Sequence, residues 1–550
     1  MNNLPNFTTT QYSLEKIFRM IEEGNIKIPQ FQRDFVWDKV KAARLLDSVL
    51  KGYPIGNLIL WKTKDRLRSL RNIGNINLPE PKEGDYIYYV LDGQQRLTSL
   101  FAIKKGAIVA KENQKSIDYK DIYLNLSLPP DTDEDIVTME KNYEFDCITI
   151  YEILNSKISS FLDKYGKDKV DKIETYRNKI NNYSIPIVEL TDCPLDIACT
   201  IFTRINTGGT VLTLFEIMVA KTYDETRNFD LSKEYERLIN SNGECKDLED
   251  SNYDTIPESV VLQCIAAHIK NKVSKREILR LNKNDVIESW NIVKERGIFP
   301  AVDFLRNSIK VPVSSLMPYY SLLVPFSYFF IKNYEKNGSE TTSNIQTKLL
   351  TQYFYWASLT NRFTSGVPAK IEQDLLKMDK IVNNEPPDYP EEELKISFED
   401  LIEKRFSTSE AYCKALLCVY AANNPLNLRN NSSIRLDNSW LRRANSRNYH
   451  HFFPRAYLRR KDINDDKANV ILNIILVDDY LNKRVIGAKP PSKYIREFMR
   501  ENDDIEKALR SHFINDVEKF GIFNNDYEAF IQERAKVVSR RLRSLLRPKI

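Results

Sequence analysis

The stretch Tyr88–Ile103, YYVLDGQQRLTSLFAI, changes character in its middle, and that change decides the N-terminal fold. Its first four residues are an aromatic and β-branched run of the kind that forms a strand. Asp92-Gly93 is a tight turn, and the residues after it read as a helix whose first turn holds Gln94, Gln95 and Arg96. A strand delivering a helix N-terminus through one turn is a place for an anion. Amides without a helical partner and the positive end of the dipole favour phosphate, and Arg96 can add a bidentate contact. Asp92 is placed to hold a metal-bound water or Arg96 itself.

Working outward, residues 28 to 100 alternate helix and strand signals. Asp38 can cap a helix carrying Val40, Leu45, Leu46, Val49 and Leu50, with Gly52 as its stop. IGNLILW (55–61) and YIYYVL (86–91) are short apolar runs that predict a small sheet packed on helices. Upstream, IPQFQRDFVW (28–37) offers Gln32 and Arg33. Downstream, FTRINTGGTVLTLFE (202–216) offers Arg204, Asn206 and a Gly208-Gly209 turn, then a capping box of Thr213 and Glu216. Three polar, Arg-bearing loops separated by strands predict one pocket built from Gln32, Arg33, Asp92, Gly93, Gln94, Gln95, Arg96, Arg204 and Asn206. Neither GxxxxGK[ST] nor GxGxxG occurs, which excludes a P-loop and leaves nucleotide chemistry to another cradle.

The chain has 550 residues with 42% hydrophobic and 29% charged side chains, enough apolar material for several cores. A formal charge of +5 is too small to argue for nucleic acid by itself, so the distribution of charge must carry that argument. Seven cysteines without a CxxC pair suit reduced thiols and the cytoplasm. The polar start NNLPNFTTTQ is unlike a secretory signal. The most membrane-like run, Pro318 to Ile331, is broken by Pro325 and falls short of the ~20 apolar residues a spanning helix needs. A soluble protein without a membrane partner is expected.

LPPDTDED (128–135) is a turn-rich interruption, KVDKIETYRNKINNY (169–183) a polar helical insert, and SIPIVEL a return to strand. From about residue 256 to 380 apolar residues recur at helical spacing. NYEKNGSETTSN (333–344) and NNEPPDYPEEE (383–393) have linker composition, the second marking an inter-domain boundary. The expected domains are 1–235, mixed α and β; 236–395, mainly helical; and 396–550. The fold class is α+β, multi-domain.

Four histidines occur, and two are adjacent in NYHHFFPRAYL (448–458). His-His-x-x-Pro, followed after about 20 to 30 residues by asparagines in NVILNIILVDDYLNKR (469–484), is the order an HNH, or ββα-metal, nuclease requires: a hairpin bearing the base, then a helix bearing a ligand. Hydrolysing a phosphodiester needs a base near neutral pKa, and imidazole, at about 6.5 when unperturbed, suits that role. His451 is the candidate base. His450 and Asn482 are the candidate ligands of a divalent cation, Mg²⁺ or Mn²⁺, acting where charge develops. Asn473 is expected to fasten the loop that orients His451 by a side-chain to backbone bond, and Pro454 to shape the hairpin. Arg442, Arg443, Arg447, Arg455, Arg459, Arg460 and Lys461 bracket the motif, and VVSRRLRSLLRPKI ends the chain. Both clusters are of the kind that neutralises phosphates.

Taken together, IPQFQRDFVW, GYPIGNLILW, VLDGQQRLTSL and FTRINTGGTVLTLFEI resemble the ParB-like, DGQQR-bearing N-terminal domain of GmrSD-type modification-dependent restriction enzymes. HHFFP, ILNIILVDDYLNKR and GAKPPSKYI resemble the HNH domain fused to it in that family. The resemblance covers roughly residues 10–230 and 405–500. It implies a nucleotide-binding, NTP-hydrolysing N-terminal domain centred on Asp92, Gln94, Gln95 and Arg96, coupled to metal-dependent DNA cleavage by His451. It also implies double-stranded, chemically modified phage DNA as the target. Many relatives carry an acidic residue where this chain has His450, which shifts metal preference toward softer ions such as Mn²⁺. The expectation is an anti-phage, modification-dependent endonuclease regulated by an NTP. The alternative is a non-cutting, nucleotide-switched DNA-binding sensor, and self-association into a homo-oligomer is left open.

Overall fold

A computed structural model describes residues 6–29, 38–67, 72–73, 76–82, 84–111, 114–128, 134–139, 146–191, 193–205, 213–434, 449–477 and 486–549. The chain forms two compact units, Met1–Asn228 and Phe229–Ile550.

The first unit is built on a five-stranded sheet of β1 (Asn6–Ser13), β2 (Ile26–Lys27), β3 (Leu58–Thr63), β4 (Ile87–Asp92) and β5 (Ser184–Thr191), in the order β1-β5-β3-β4-β2. β5 runs parallel to β3, and β2 parallel to β4, while the other two pairs are antiparallel. α1 (Leu14–Glu22), α2 (Lys39–Leu50), α3 (Gln94–Lys105) and α4 (Lys167–Asn182) supply Ile17, Leu46, Phe101 and Tyr176 to a core continuous with Leu60 and Val90 of the sheet. The local reading is confirmed at several points. Asp38 caps α2 by accepting from Lys41 N at 2.8 Å. The polar insert is the helix α4, and SIPIVEL is β5. α5 (Leu195–Ile205) packs beside β4, and α6 (Leu214–Thr222) begins with the Thr213–Glu216 capping box.

The second unit joins what the composition of the sequence separates. α7 (Leu323–Asn337), α8 (Asn344–Leu359) and α9 (Val367–Val382) form an aromatic-rich helical core with Phe326, Phe330, Tyr353 and Trp356 buried. α10 (Ala411–Ala422) and α11 (Tyr527–Leu546), both beyond residue 395, pack on α8, and Gln352 Nε2 donates to Leu546 O at 2.7 Å. Residues 383–393 are not a free linker. Tyr389 packs at a tilt against Trp356 with ring centroids 4.6 Å apart, and Trp356 Nε1 donates to Glu393 Oε2 at 2.8 Å. Proline and acid content gave that segment a linker's composition, but one tyrosine and one carboxylate fasten it to the helical core.

The apolar run around Pro325 is a core helix. Proline sits in its first turn, where no helical partner for its missing N–H is required, and Leu323 to Ile331 are all buried. Among the described residues no helix is long and apolar enough to cross a membrane.

Candidate functional site

In the N-terminal unit, the strand directions set which loops meet. β4 ends at Asp92, β3 begins opposite it with Ile59 paired to Asp92, and β2, parallel to β4, leaves the sheet at the same end. The segments 53–57 and 92–96, and the chain departing from Lys27, are therefore gathered at one end of the sheet. Gly93 links β4 to α3 at φ 91°, in the left-handed region. A Cβ there would stand 2.2 Å from Leu58 Cδ2, so any other residue both strains the backbone at this φ and forces the Leu58 side chain to move.

Arg96 is held within this corner. Its Nη1 donates to Ile55 O at 2.6 Å and its Nη2 to Asp92 Oδ2 at 3.1 Å. Gly56 makes the approach possible, since a Cβ there would lie 2.3 Å from Arg96 Nη1. Of the two roles open to Asp92, the structure displays the ion pair with Arg96. Gln94 and Gln95 are buried in the first turn of α3, and Arg204 is exposed in the last turn of α5. Gln32, Arg33 and Asn206 lie outside the described residues, so the expected convergence of three loops is described for Asp92, Gly93 and Arg96 and their Gly56 neighbour.

In the second unit, β6 (Tyr449–His451) pairs antiparallel with β7 (Ile474–Leu476), placing His450 opposite Ile475 and His451 opposite Ile474. The ribbon is narrow, and its end is fixed by Asn473. That residue is 0% exposed, and its Oδ1 accepts from Phe453 N at 2.9 Å. Its Nδ2 donates to Phe453 O at 3.0 Å and to Ala468 O at 2.9 Å, while its own carbonyl accepts from Phe452 N at 2.8 Å. One buried carboxamide thus closes the turn that follows His451.

His451 meets a residue to which sequence reasoning gave no role. Its Nε2 lies 2.9 Å from Asn469 Oδ1. Asn469 Nδ2 donates to Phe406 O at 3.3 Å, which turns the amide oxygen toward the imidazole. Nε2 therefore carries the hydrogen, and Nδ1 keeps the lone pair of the neutral ring. Burial pushes His451 below its ordinary pKa, with Arg455 adding to the effect and the Asn469 bond opposing it. The neutral, proton-accepting form is the resting one at neutral pH. Asn469 opens the asparagine-bearing segment 469–484, but only packing against Phe406 reveals what it does.

His450, the residue before, is 4% exposed and lies opposite Ile475 in the ribbon. Asn482 lies outside the described residues, as do Arg442, Arg443 and Arg447. Among the described residues no three His, Cys, Asp or Glu side chains gather closely enough to hold a metal. The expected pair, one imidazole and one carboxamide, is of another kind. An imidazole nitrogen and a carboxamide oxygen are both donor types that a divalent ion would accept.

Phe530 and Arg534 of α11, together with Tyr494 of the helix Pro491–Met499, brace the ribbon. Phe530 stacks on Phe452 with centroids 4.7 Å apart, and Tyr494 Oη donates to Phe452 O at 2.6 Å. Arg534, 0% exposed, donates to Ile474 O at 2.7 Å, to Leu472 O at 2.5 Å and to His512 O at 3.2 Å. Its guanidinium bridges the carbonyls on either side of Asn473.

A mixed α/β unit whose sheet end presents an Arg-bearing helix N-terminus is thus followed by a helical unit carrying a histidine ribbon. Residues 14–223, which lie within the first unit, match the family described as GmrSD restriction endonuclease, N-terminal domain. The chain is also similar to an uncharacterized protein of Methanocaldococcus jannaschii. The two are 24% identical, over 95% of this chain and 97% of the relative. That likeness runs through the C-terminal unit as well as the first.

Proposed function

We propose that this chain is a modification-dependent DNA endonuclease acting in defence against phage, in the cytoplasm, with an HNH-type site in the second unit and an NTP-binding, NTP-hydrolysing site in the first. The observation that carries the nuclease reading is His451, seated at the end of a two-stranded ribbon with Nε2 engaged by Asn469 and Nδ1 left to accept a proton. The GmrSD-type domain supports DNA as the substrate.

In this reading His451 Nδ1 takes the proton from the attacking water while the duplex is held against the unit. Asn469 holds the ring's tautomer, and Asn473 holds the backbone that carries the ring. His450 and Asn482 would hold the divalent ion. When bound, it supplies Lewis-acid stabilisation of the charge that develops on the scissile phosphate.

At the sheet end of the first unit, the phosphates of an NTP would meet the α3 amides beside Arg96, with Gln32, Arg33, Arg204 and Asn206 completing the pocket. Arg96 is held beside those amides by Ile55 O and Asp92, so an NTP phosphate would compete with Asp92 for its Nη2.

A plasmid-nicking assay with Mg²⁺ and Mn²⁺, with and without each NTP, on unmodified, hydroxymethylated, glucosylated and phosphorothioated DNA, tests the reading. His451→Ala is expected to lose about 10²- to 10⁴-fold in cleavage rate, the range for a general base, with duplex binding unchanged. Full cleavage by that variant refutes the assignment of the base. Salt-sensitive binding without metal-dependent strand breaks in the wild-type chain identifies it as a non-cutting sensor. Arg96→Ala is expected to impair NTP hydrolysis, and unaltered hydrolysis refutes the nucleotide pocket.

A further inference from the structure

The two basic clusters of the second unit differ in what their side chains already hold. Beside the histidine ribbon, Arg455 forms a two-pronged ion pair with Asp465, Arg459 approaches the same carboxylate at 3.8 Å, and Arg405 pairs with Asp466 at 3.2 Å. Arg460 donates to Ala488 O at 2.7 Å. These described arginines are largely neutralised or committed within the fold.

The C-terminal helix α11 is different. Lys536, Arg540 and Arg543 are exposed and recur at i, i+4 and i+7, which places them in one line along the helix, and Arg547, also exposed, follows directly after its last residue. At ~1.5 Å rise per residue the helical part of the line, Lys536 to Arg543, is about 10 Å long. The ends of the whole row are lightly held, Lys536 by Glu533 at 2.6 Å and Arg547 by Glu391, both in exposed pairs of the sort worth about 0–1 kcal/mol. Arg540 and Arg543, in the middle, form no ion pair among the described residues, and neither does Arg541 beside them.

The other side of the same helix carries Phe530 and Arg534, which stack on Phe452 and bind the carbonyls of Leu472 and Ile474. The line of cations and the ribbon of His451 are thus joined through one rigid element.

We propose that Arg540 and Arg543, extended by Lys536 and Arg547, form the surface that grips the sugar-phosphate backbone of duplex DNA, and that α11 sets the register between the gripped duplex and His451. The proposal rests on the nuclease reading and names where its substrate is held. Charge complementarity carries it. A duplex presents one negative charge per ~1.7 Å of its axis, and a row of cations whose middle two guanidinium groups form no ion pair among the described residues complements that charge. These long cations contact phosphate rather than base edges, so the grip is independent of sequence.

The test is fluorescence anisotropy of the full chain with a labelled 30-base-pair duplex in EDTA, titrated across KCl. Each phosphate contact contributes about 0.9 to the slope of log K against log salt. The double variant Arg540→Ser, Arg543→Ser is therefore expected to lower that slope by about 1.8, so its affinity falls about tenfold less than the wild type's between 50 and 200 mM salt. Arg540→Lys with Arg543→Lys is expected to restore the slope, and Arg455→Ser with Arg459→Ser to leave it near the wild-type value. An unchanged slope in the first variant, a larger drop in the last, or a wild-type chain that binds no duplex overturns the proposal. A slope change seen with an RNA hairpin but not with the DNA duplex overturns it in favour of RNA. A wild-type chain that shows the predicted slopes yet never cuts leaves this surface standing and refutes the nuclease reading alone.

Discussion

Replacing Asn473 by Ala removes a fully buried carboxamide and leaves three backbone groups behind. Phe453 N–H loses its acceptor at 2.9 Å, while Phe453 O and Ala468 O lose donors at 3.0 and 2.9 Å. Each buried backbone group left unpaired costs about 1–3 kcal/mol. Some relaxation of the turn after His451 recovers part of that, which puts the loss at about 3–5 kcal/mol for the second unit. Asn473→Asp keeps the acceptor for Phe453 N–H but points carboxylate oxygen at two carbonyls. It is expected to fall in the same range. The assay is urea unfolding followed by the near-ultraviolet signal of the tryptophans, with the slope m compared between variants so that a change in midpoint alone is read as stability. A loss below about 1 kcal/mol for Asn473→Ala would show that water satisfies those three groups and that the carboxamide does not close the turn.

Asn469→Ala is expected to act oppositely, costing about 1 kcal/mol or less in stability while lowering the cleavage rate, because it frees the ring of His451 without opening the ribbon. A stability loss as large as that of Asn473→Ala, with cleavage unaffected, would remove its orienting role. Gly93→Ala forces a Cβ to 2.2 Å from Leu58 Cδ2 at a positive φ, and a loss of at least about 2 kcal/mol in the first unit is expected by thermal unfolding; a neutral substitution would contradict the packing of β3 on the turn. Burial pushes His512 down to about 4 from 6.5, so the unfolded chain takes up a proton first as pH falls. The stability contributed by the neutral ring is present above pH 6.5 and is lost progressively toward pH 4, by about 3 kcal/mol in all. His512→Gln, which keeps a donor for Leu426 O, is expected to flatten that pH dependence; equal slopes in variant and wild type would refute it.

Much of the local structure is legible in the chain because it depends on near neighbours. The Asp38 cap, the Thr213–Glu216 capping box and the strand-turn-helix at Tyr88–Ile103 are each set by residues within a few positions of one another. The basic clusters show the limit. Read along the sequence, the arginines around His451 and those of VVSRRLRSLLRPKI look alike. Only the fold reveals that Asp465 and Asp466 fall beside the first group, while the middle of α11 meets no acid among the described residues.

Local chemistry in the chain is enough to mark where α2, α3 and α6 begin, and to show a histidine pair followed by a proline and then by asparagines. Tertiary structure decided the rest. It joined the helical middle to the C-terminal segment through Gln352 and Leu546, fastened Tyr389 to Trp356, tied Arg96 to Ile55, and chose Asn469 as the partner of His451. The physical reason is range. Caps and turns are settled by bonds between near neighbours, whereas a side chain's partner across the fold depends on which segments the burial of apolar surface brings together, and that cannot be read from any one segment alone.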